Sequence, residues 1–220
     1  MSIFPTVVLD EPCHGLSDVV RRFAPVILFS RSGGLSSDVP RAVAELHSEL
    51  SSTPKKPPFL LVTASLGGFT AISFAHKYPS NMAGIILLDP SHPLQGKSAL
   101  AILAKQDLPA SEELEEFKSF FSRTNEAFDS GSREMEHINS IGDLPLLVLA
   151  AGGLIFPPAI PRPVRDLLVL DRHRMLTDFA RLSNRGRIRV VPDAGHGMTA
   201  EAPGVVTKAI KDFIAILQND

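Results

Sequence analysis

The sequence predicts an α/β fold: a mostly parallel central sheet of about six strands flanked by helices, with a small helical lid. Three observations lead there. Short, continuously apolar runs recur along the chain, and longer segments with apolar residues at i, i+3, i+4 spacing separate them. One stretch, residues 92–142, carries helical patterning and no convincing strand. Runs that are apolar at every position suit strands covered on both faces, and strand–helix alternation implies βαβ units with right-handed crossovers.

The first strand falls at residues 6–9 (Thr-Val-Val-Leu) and the second at 25–29 (Pro-Val-Ile-Leu-Phe). An amphipathic helix over 39–50 leads to the third strand, 59–62, and a helix over 66–78 to the fourth, 84–88. Three helical stretches follow, at 98–106, 111–128 and 133–141. Ser111 with Glu112 and Glu113 behind it reads as an N-cap with favourable first-turn charge. Phe117, Phe120, Phe121 and Phe128 form an apolar stripe that ordinary helix packing explains. A strand at 144–149, a helix at 172–182, a strand at 187–191 and a last helix at 204–217 complete the order. Residues 1–91 and 143–220 thus make one core, and 92–142 a lid insertion leaving the C-terminal edge of the sheet, where open α/β folds bind ligands.

Composition narrows the function. A chain of 220 residues that is 44% hydrophobic can bury a full core, and one domain is the natural count. Net charge is −2, with no basic cluster to track a phosphate backbone, so nucleic acid is not an expected partner. Cys13 is the single cysteine, which leaves neither a disulfide framework nor a thiolate metal cage. No apolar run reaches the length of a membrane span, and no charged and apolar leader opens the chain. The expectation is a soluble, cytoplasmic protein acting on a small molecule, without metal or cofactor; its oligomeric state is left open. The pair Gly33-Gly34 is too little for a dinucleotide loop.

The chemistry centres on Phe59-Leu60-Leu61-Val62-Thr63-Ala64-Ser65-Leu66-Gly67-Gly68. An apolar run stops on a serine, and helix-forming sequence follows at once. Such a serine is forced into a tight, strained turn with its hydroxyl clear of the sheet edge. Small neighbours let strand and helix backbones pass closely, which suits Ala64, Gly67 and Gly68. Thr63 stands where the usual G-x-S-x-G pattern has glycine.

The order of elements around this turn resembles the α/β-hydrolase family through nearly the whole chain. Ser65 matches the nucleophile. The segments Phe74-Ala75-His76-Lys77-Tyr78-Pro79 and Met82-Ala83-Gly84-Ile85-Ile86-Leu87-Leu88-Asp89-Pro90 resemble the family's next helix and strand. Arg31-Ser32-Gly33-Gly34-Leu35-Ser36 resembles a Gly-rich loop, and Asp193-Ala194-Gly195-His196 the catalytic histidine loop. Three departures stand out. The family's opening antiparallel strands are missing. His14-Gly15 comes several residues after the first strand rather than directly behind it. No carboxylate follows the strand at 144–149 until Asp166.

Serine needs a base within hydrogen-bond reach. Of seven histidines, His76 lies about 16 Å down the helix that Ser65 begins and cannot serve. His47, His137 and His173 read as surface positions on helices. His196, in its Gly-His-Gly setting behind the last strand, is the expected base. Its orienting acid is expected at Asp89, which ends the strand after the nucleophile helix. Asp166 and Asp171 are alternatives if the Pro-rich loop 156–163 folds back, and Asp193 more naturally holds the histidine turn. The resemblance implies an oxyanion hole from the Leu66 amide and a second amide in the first loop. Strand-end counting favours Cys13 and the His-Gly match favours Leu16, while Pro12 has no N–H to give. His14 and His92 are expected to contact substrate. The implied activity is a serine esterase-type hydrolase cleaving an ester, thioester or lactone of a mostly apolar small molecule. Alternatives are a lyase, cyclase or isomerase of the same fold with His196 as general base, or an inactive ligand-binding member.

Overall fold

Six short strands pair in parallel to form the sheet, in the order β2-β1-β3-β4-β5-β6. The structure is a computed structural model that describes residues 5–32 and 38–219; the glycine-rich stretch at 33–36 lies outside the described residues. Strand β1 (Thr6–Asp10) runs directly into a 3-10 turn, Glu11–Leu16, and the one-turn helix α1 (Ser17–Val20). Then come β2 (Val26–Phe29), α2 (Val39–Ser52), β3 (Phe59–Ala64), α3 (Gly67–Lys77) and β4 (Met82–Leu88). Between β4 and β5 (Leu146–Ala151) lie α4 (Gln95–Leu103) and α5 (Glu112–Met135). The chain closes with α6 (Arg162–Arg181), β6 (Gly186–Val191), α7 (Met198–Glu201) and α8 (Pro203–Gln218).

Strand periodicity splits the core in two. Val8, Leu61, Ile85 and Val148 point to the face covered by α2 to α6, while Val7, Leu9, Leu60, Val62 and Ile86 point to the face covered by α1 and α8. Strands β1, β3 and β4 are buried almost throughout, which is why they read as unbroken apolar runs. Each large side chain so buried contributes about 1.5–3 kcal/mol. β6 is one of the sheet's two edge strands, and its exposed Arg187 and Arg189 alternate with half-buried Ile188.

Two helix expectations are corrected. The excursion between β4 and β5 holds two helices, not three. The chain around Asp129-Ser130-Gly131-Ser132 stays helical because α5 lies against Phe69 of α3 there; a Cβ at Gly131 would collide with that ring. The glycine marks a close approach rather than a break. Second, α6 begins at Arg162, ten residues earlier than 172, inside the Pro-rich stretch. Proline in a helix's first turn gives up only an N–H that has no helical partner.

The chain reverses its direction of sheet growth between β1 and β3. Ligands bind outside the carboxyl ends of parallel strands at such a switch point. The 3-10 turn after β1 and the β3–α3 turn both lie there.

Candidate active site

Ser65 occupies the β3–α3 turn with φ +53°, in the left-handed region that a non-glycine residue rarely enters. Three backbone bonds hold it: Ser65 N–H donates to Leu88 O (3.2 Å), while Gly68 and Ser91 N–H donate to Ser65 O (3.1 Å each). Gly67 must be glycine because a Cβ there would strike Asp10 Oδ2. Asp89, just past β4, is likewise left-handed (φ +42°), a conformation Asp tolerates better than most residues. Its N–H donates to Leu149 O on β5 at 2.7 Å, fixing the strand end.

His196 stands between the two. Its Nδ1 lies 2.7 Å from Asp89 Oδ2 and its Nε2 3.1 Å from Ser65 Oγ. A carboxylate can only accept, so Nδ1 carries the proton and Nε2 is free to accept from the serine hydroxyl. The histidine loop is pinned by Gly195 N–H donating to Glu201 (2.5 Å) and Gly153 N–H donating to Ala194 O (2.9 Å). The His196 side chain is 53% exposed whereas that of Asp89 is fully buried, so water reaches the base but not the acid.

Asp89 is held on every side. Ala151 N–H donates to Oδ1 at 3.0 Å. Arg172 of α6 donates from Nε to Oδ1 (3.3 Å), from Nη2 to Oδ2 (2.7 Å) and from Nη2 to the Asp89 carbonyl (3.4 Å). Burial pushes the Asp89 carboxyl up, but the His196 bond, the Arg172 guanidinium and the Ala151 amide outweigh it. The group ends below the usual carboxylate range. It is ionised at neutral pH.

Ser65, Leu66, Asp89 and His196 line a cavity of about 340 Å³. Its walls are mostly apolar: Phe117, Phe120, Phe121 and Phe128 from α5, with Leu154, Ile155 and Phe156 from the loop after β5. The phenylalanine stripe assigned to core packing therefore also forms the cavity wall. Leu66 caps α3, so its amide lies outside the helix's own hydrogen-bond ladder.

Other expected site residues lie elsewhere. His14 hydrogen-bonds through Nε2 to Phe29 O (3.1 Å), tying the first loop to β2, and does not line the cavity. His92 accepts from Leu94 N–H (3.2 Å) and stands edge-on to Phe179. It faces a neighbouring cleft of about 560 Å³, and burial lowers its pKa. Neither Cys13 nor Leu16 lines the cavity. The Cys13 thiol is buried and hydrogen-bonds to Asp10, and burial pushes its pKa well up, which suits packing rather than reactivity. Asp166 is exposed near Arg162, and Asp193 is exposed. Asp171 does line the cavity, where its Oδ2 accepts from Ser98 Oγ at 2.6 Å.

Sequence reasoning missed Arg172 and Ser91. Arg172 interrupts the buried stripe Leu168, Met175, Leu176, Phe179 of α6, and a charged residue at a core spacing was the available signal. Ser91 Oγ lies 3.3 Å from Ser65 Oγ; nothing in its sequence context marks it. Among the described residues, no three His, Cys, Asp or Glu side chains are grouped to hold a metal ion. No described helix is long and apolar enough to cross a membrane.

Fold and site geometry together define an α/β-hydrolase. The profile of the alpha/beta hydrolase family matches residues 4–209, and the chain belongs to that family. A relative in Bacillus subtilis (strain 168), the uncharacterized protein YqjL, is 25% identical over 171 residues. That match takes in 77% of this chain but 62% of YqjL, so the chain spans about three fifths of that relative's length. Among solved structures, one described for the metagenome-derived lipolytic enzymes LipS and LipT superposes with a TM-score of 0.63 at 13% identity. It covers 98% of this chain and 95% of its own. The enol-lactonase of Burkholderia xenovorans LB400 gives 0.60 at 14% identity, covering 97% and 92%. A thermophilic esterase of Thermogutta terrifontis gives 0.56 at 17%, covering 99% and 91%. At these identities the likeness is one of fold.

Proposed function

We propose that the protein is a serine hydrolase that cleaves an ester, thioester or lactone of a mostly apolar small molecule through an acyl-enzyme. The observation that carries this reading is the Ser65–His196–Asp89 relay at the mouth of an apolar cavity. Ser65 Oγ attacks the carbonyl carbon as its proton passes to His196 Nε2, and Asp89 stabilises the imidazolium. The Leu66 amide, at the start of α3 and on the cavity wall, stabilises the developing oxyanion. The imidazolium returns the proton to the leaving group. Water, admitted beside the half-exposed His196, then attacks the acyl-enzyme with the same base.

The excursion between β4 and β5 serves as the lid, and its phenylalanines hold the acyl group. Esterase, lipolytic and lactonase proteins share this fold, and so does an epoxide hydrolase, so the choice of carboxylic-ester chemistry rests on the Ser65–His196–Asp89 geometry rather than on the fold.

A fluorophosphonate probe should label the protein, with mass mapping placing the adduct on Ser65. Ser65→Ala and His196→Ala should each lower kcat by about three or more orders of magnitude, and together by little more than either alone. Turnover retained by Ser65→Ala would sink the reading.

A further inference from the structure

Arg172 is the one charged side chain in the buried stripe of α6, and every polar contact recorded for it goes to Asp89. Both partners are buried, their side chains 9% and 0% exposed. A buried ion pair of this kind gives little net stability, because desolvating two charges offsets most of their attraction. Leu168, Met175 and Leu176 around it show that an apolar residue would fit the helix face. Stability alone does not account for it.

We propose that Arg172 is a positioning residue: its guanidinium fork locks the Asp89 carboxylate in the plane that His196 needs. The proposal rests on reading Ser65, His196 and Asp89 as a triad. A carboxylate has about four acceptor sites. Here Oδ1 takes the Ala151 amide and Arg172 Nε, while Oδ2 takes Arg172 Nη2 and His196 Nδ1. Every site is filled, so the carboxylate cannot rotate. Without the fork, Ala151 N–H alone would hold it on the side away from the histidine.

This also explains how the acid can sit behind β4. The loop after β5 carries no carboxylate, and the last residue of β5 offers this pair only its backbone: Ala151 N–H to Asp89, and Ala151 O to His173 Nε2 at 3.2 Å. Arg172 supplies from α6 the fixation that this loop lacks.

The guanidinium also brings a charge. It shares Asp89 Oδ2 with His196, so it draws on the same carboxylate that stabilises the imidazolium. Removing it loosens the geometry, which slows turnover. It also leaves the whole carboxylate charge to the histidine, which moves the acidic limb of the pH–rate profile upward. The other ionisable groups near this pair include Asp171, His173 and Asp178 on α6, His92 after β4 and Glu201 on α7. Asp171 is bonded to Ser98, His173 to Ala151 O, Asp178 to Arg181, His92 to Leu94 and Glu201 to Gly195 N–H. The Arg172 charge also acts on His92, which faces the neighbouring cleft rather than the cavity. Lysine keeps the charge but not the planar fork, so it separates the two effects.

The test is steady-state hydrolysis of p-nitrophenyl butyrate by the full chain from pH 4.5 to 9.5, with Arg172→Gln and Arg172→Lys. Arg172→Gln should lower kcat about 10- to 100-fold with KM little changed. Its acidic limb should rise by about one pH unit. Arg172→Lys should lose a similar factor in kcat with the limb unmoved. A folded Arg172→Gln with wild-type kcat, or with lowered kcat and an unmoved limb, overturns the proposal. If Arg172→Gln does not fold, Arg172→Lys decides, and wild-type kcat in it overturns the proposal. Should the wild type neither label nor hydrolyse, the triad reading fails separately. NMR titration of the His196 ring in Arg172→Gln or Arg172→Lys against wild type then tests the Asp89 coupling without turnover. An unchanged titration in Arg172→Gln overturns it.

Discussion

Asp10 and Asp89 are both buried carboxylates at strand ends, yet their surroundings push them in opposite directions. Asp89 is surrounded by donors. Asp10 Oδ2 accepts from Ala64 N–H at 3.2 Å, and the Cys13 thiol donates to the same carboxyl, but Oδ1 has no partner. Burial therefore wins, and the Asp10 pKa is raised from 3.8 to about 6. The folded state holds this proton more tightly than the unfolded chain does. The contribution of Asp10 to stability is full below pH 3.8 and is lost as pH rises through about 6. Above that pH the buried charge costs about 3 kcal/mol, the free-energy equivalent of the raised pKa. Asp89 has the reverse sign: its contribution is full above the ordinary carboxylate pKa and is lost as pH falls through its lowered folded value. Asp10→Asn keeps an acceptor for Ala64 and removes the titration. It should raise Tm at pH 8 and leave it nearly unchanged at pH 4. Equal shifts at both pH values, by differential scanning calorimetry, would count against charge burial as the cause.

At the scale of elements, α5 and α6 show what a one-dimensional pattern conveys and what it omits. Strands β1, β3 and β4 were legible because burial on both faces leaves an unbroken apolar run, and the candidates Ser65, Asp89 and His196 could be picked out because each follows a strand within a recognisable segment. The single span of α5 was not legible, since Gly131 carries the same letter whether it ends a helix or admits Phe69. The start of α6 was hidden by prolines that a first turn accepts. Arg172 escaped because its meaning depends on Asp89, far away in sequence and adjacent only in the fold. Gly131 gives a direct check. Alanine gains about 1 kcal/mol of helix propensity over glycine. Forcing a methyl against a buried ring costs about 1–3 kcal/mol, and the Phe69 ring is buried with no open side to retreat to. Packing should win, so Gly131→Ala should unfold at lower urea concentration than wild type. A higher midpoint would show that α5 can move away from α3.

At the scale of the molecule, the cavity joins parts that the chain keeps far apart: the β3–α3 turn, the strand end at Asp89, α5, α6 and the histidine loop. Its size, about 340 Å³, is at the small end of ligand sites, which fits a compact acyl group rather than a long chain. Its charge is uneven. Asp89 and Arg172 cancel each other, leaving the Asp171 carboxylate on the wall without a cationic partner among its recorded contacts. An acyl group bearing its own carboxylate would meet both apolar rings and a like charge, and juxtaposed like charges cost several kcal/mol. Neutral p-nitrophenyl butyrate should therefore be hydrolysed at least about tenfold faster, in kcat/KM, than the hemisuccinate ester of the same alcohol. Asp171→Asn keeps an acceptor for Ser98 while removing the charge. It should narrow that gap through the hemisuccinate arm and leave the butyrate rate nearly unaltered. An unchanged ratio in Asp171→Asn would assign the discrimination to the phenylalanine wall instead, because apolar exclusion of a carboxylate does not depend on the charge at 171.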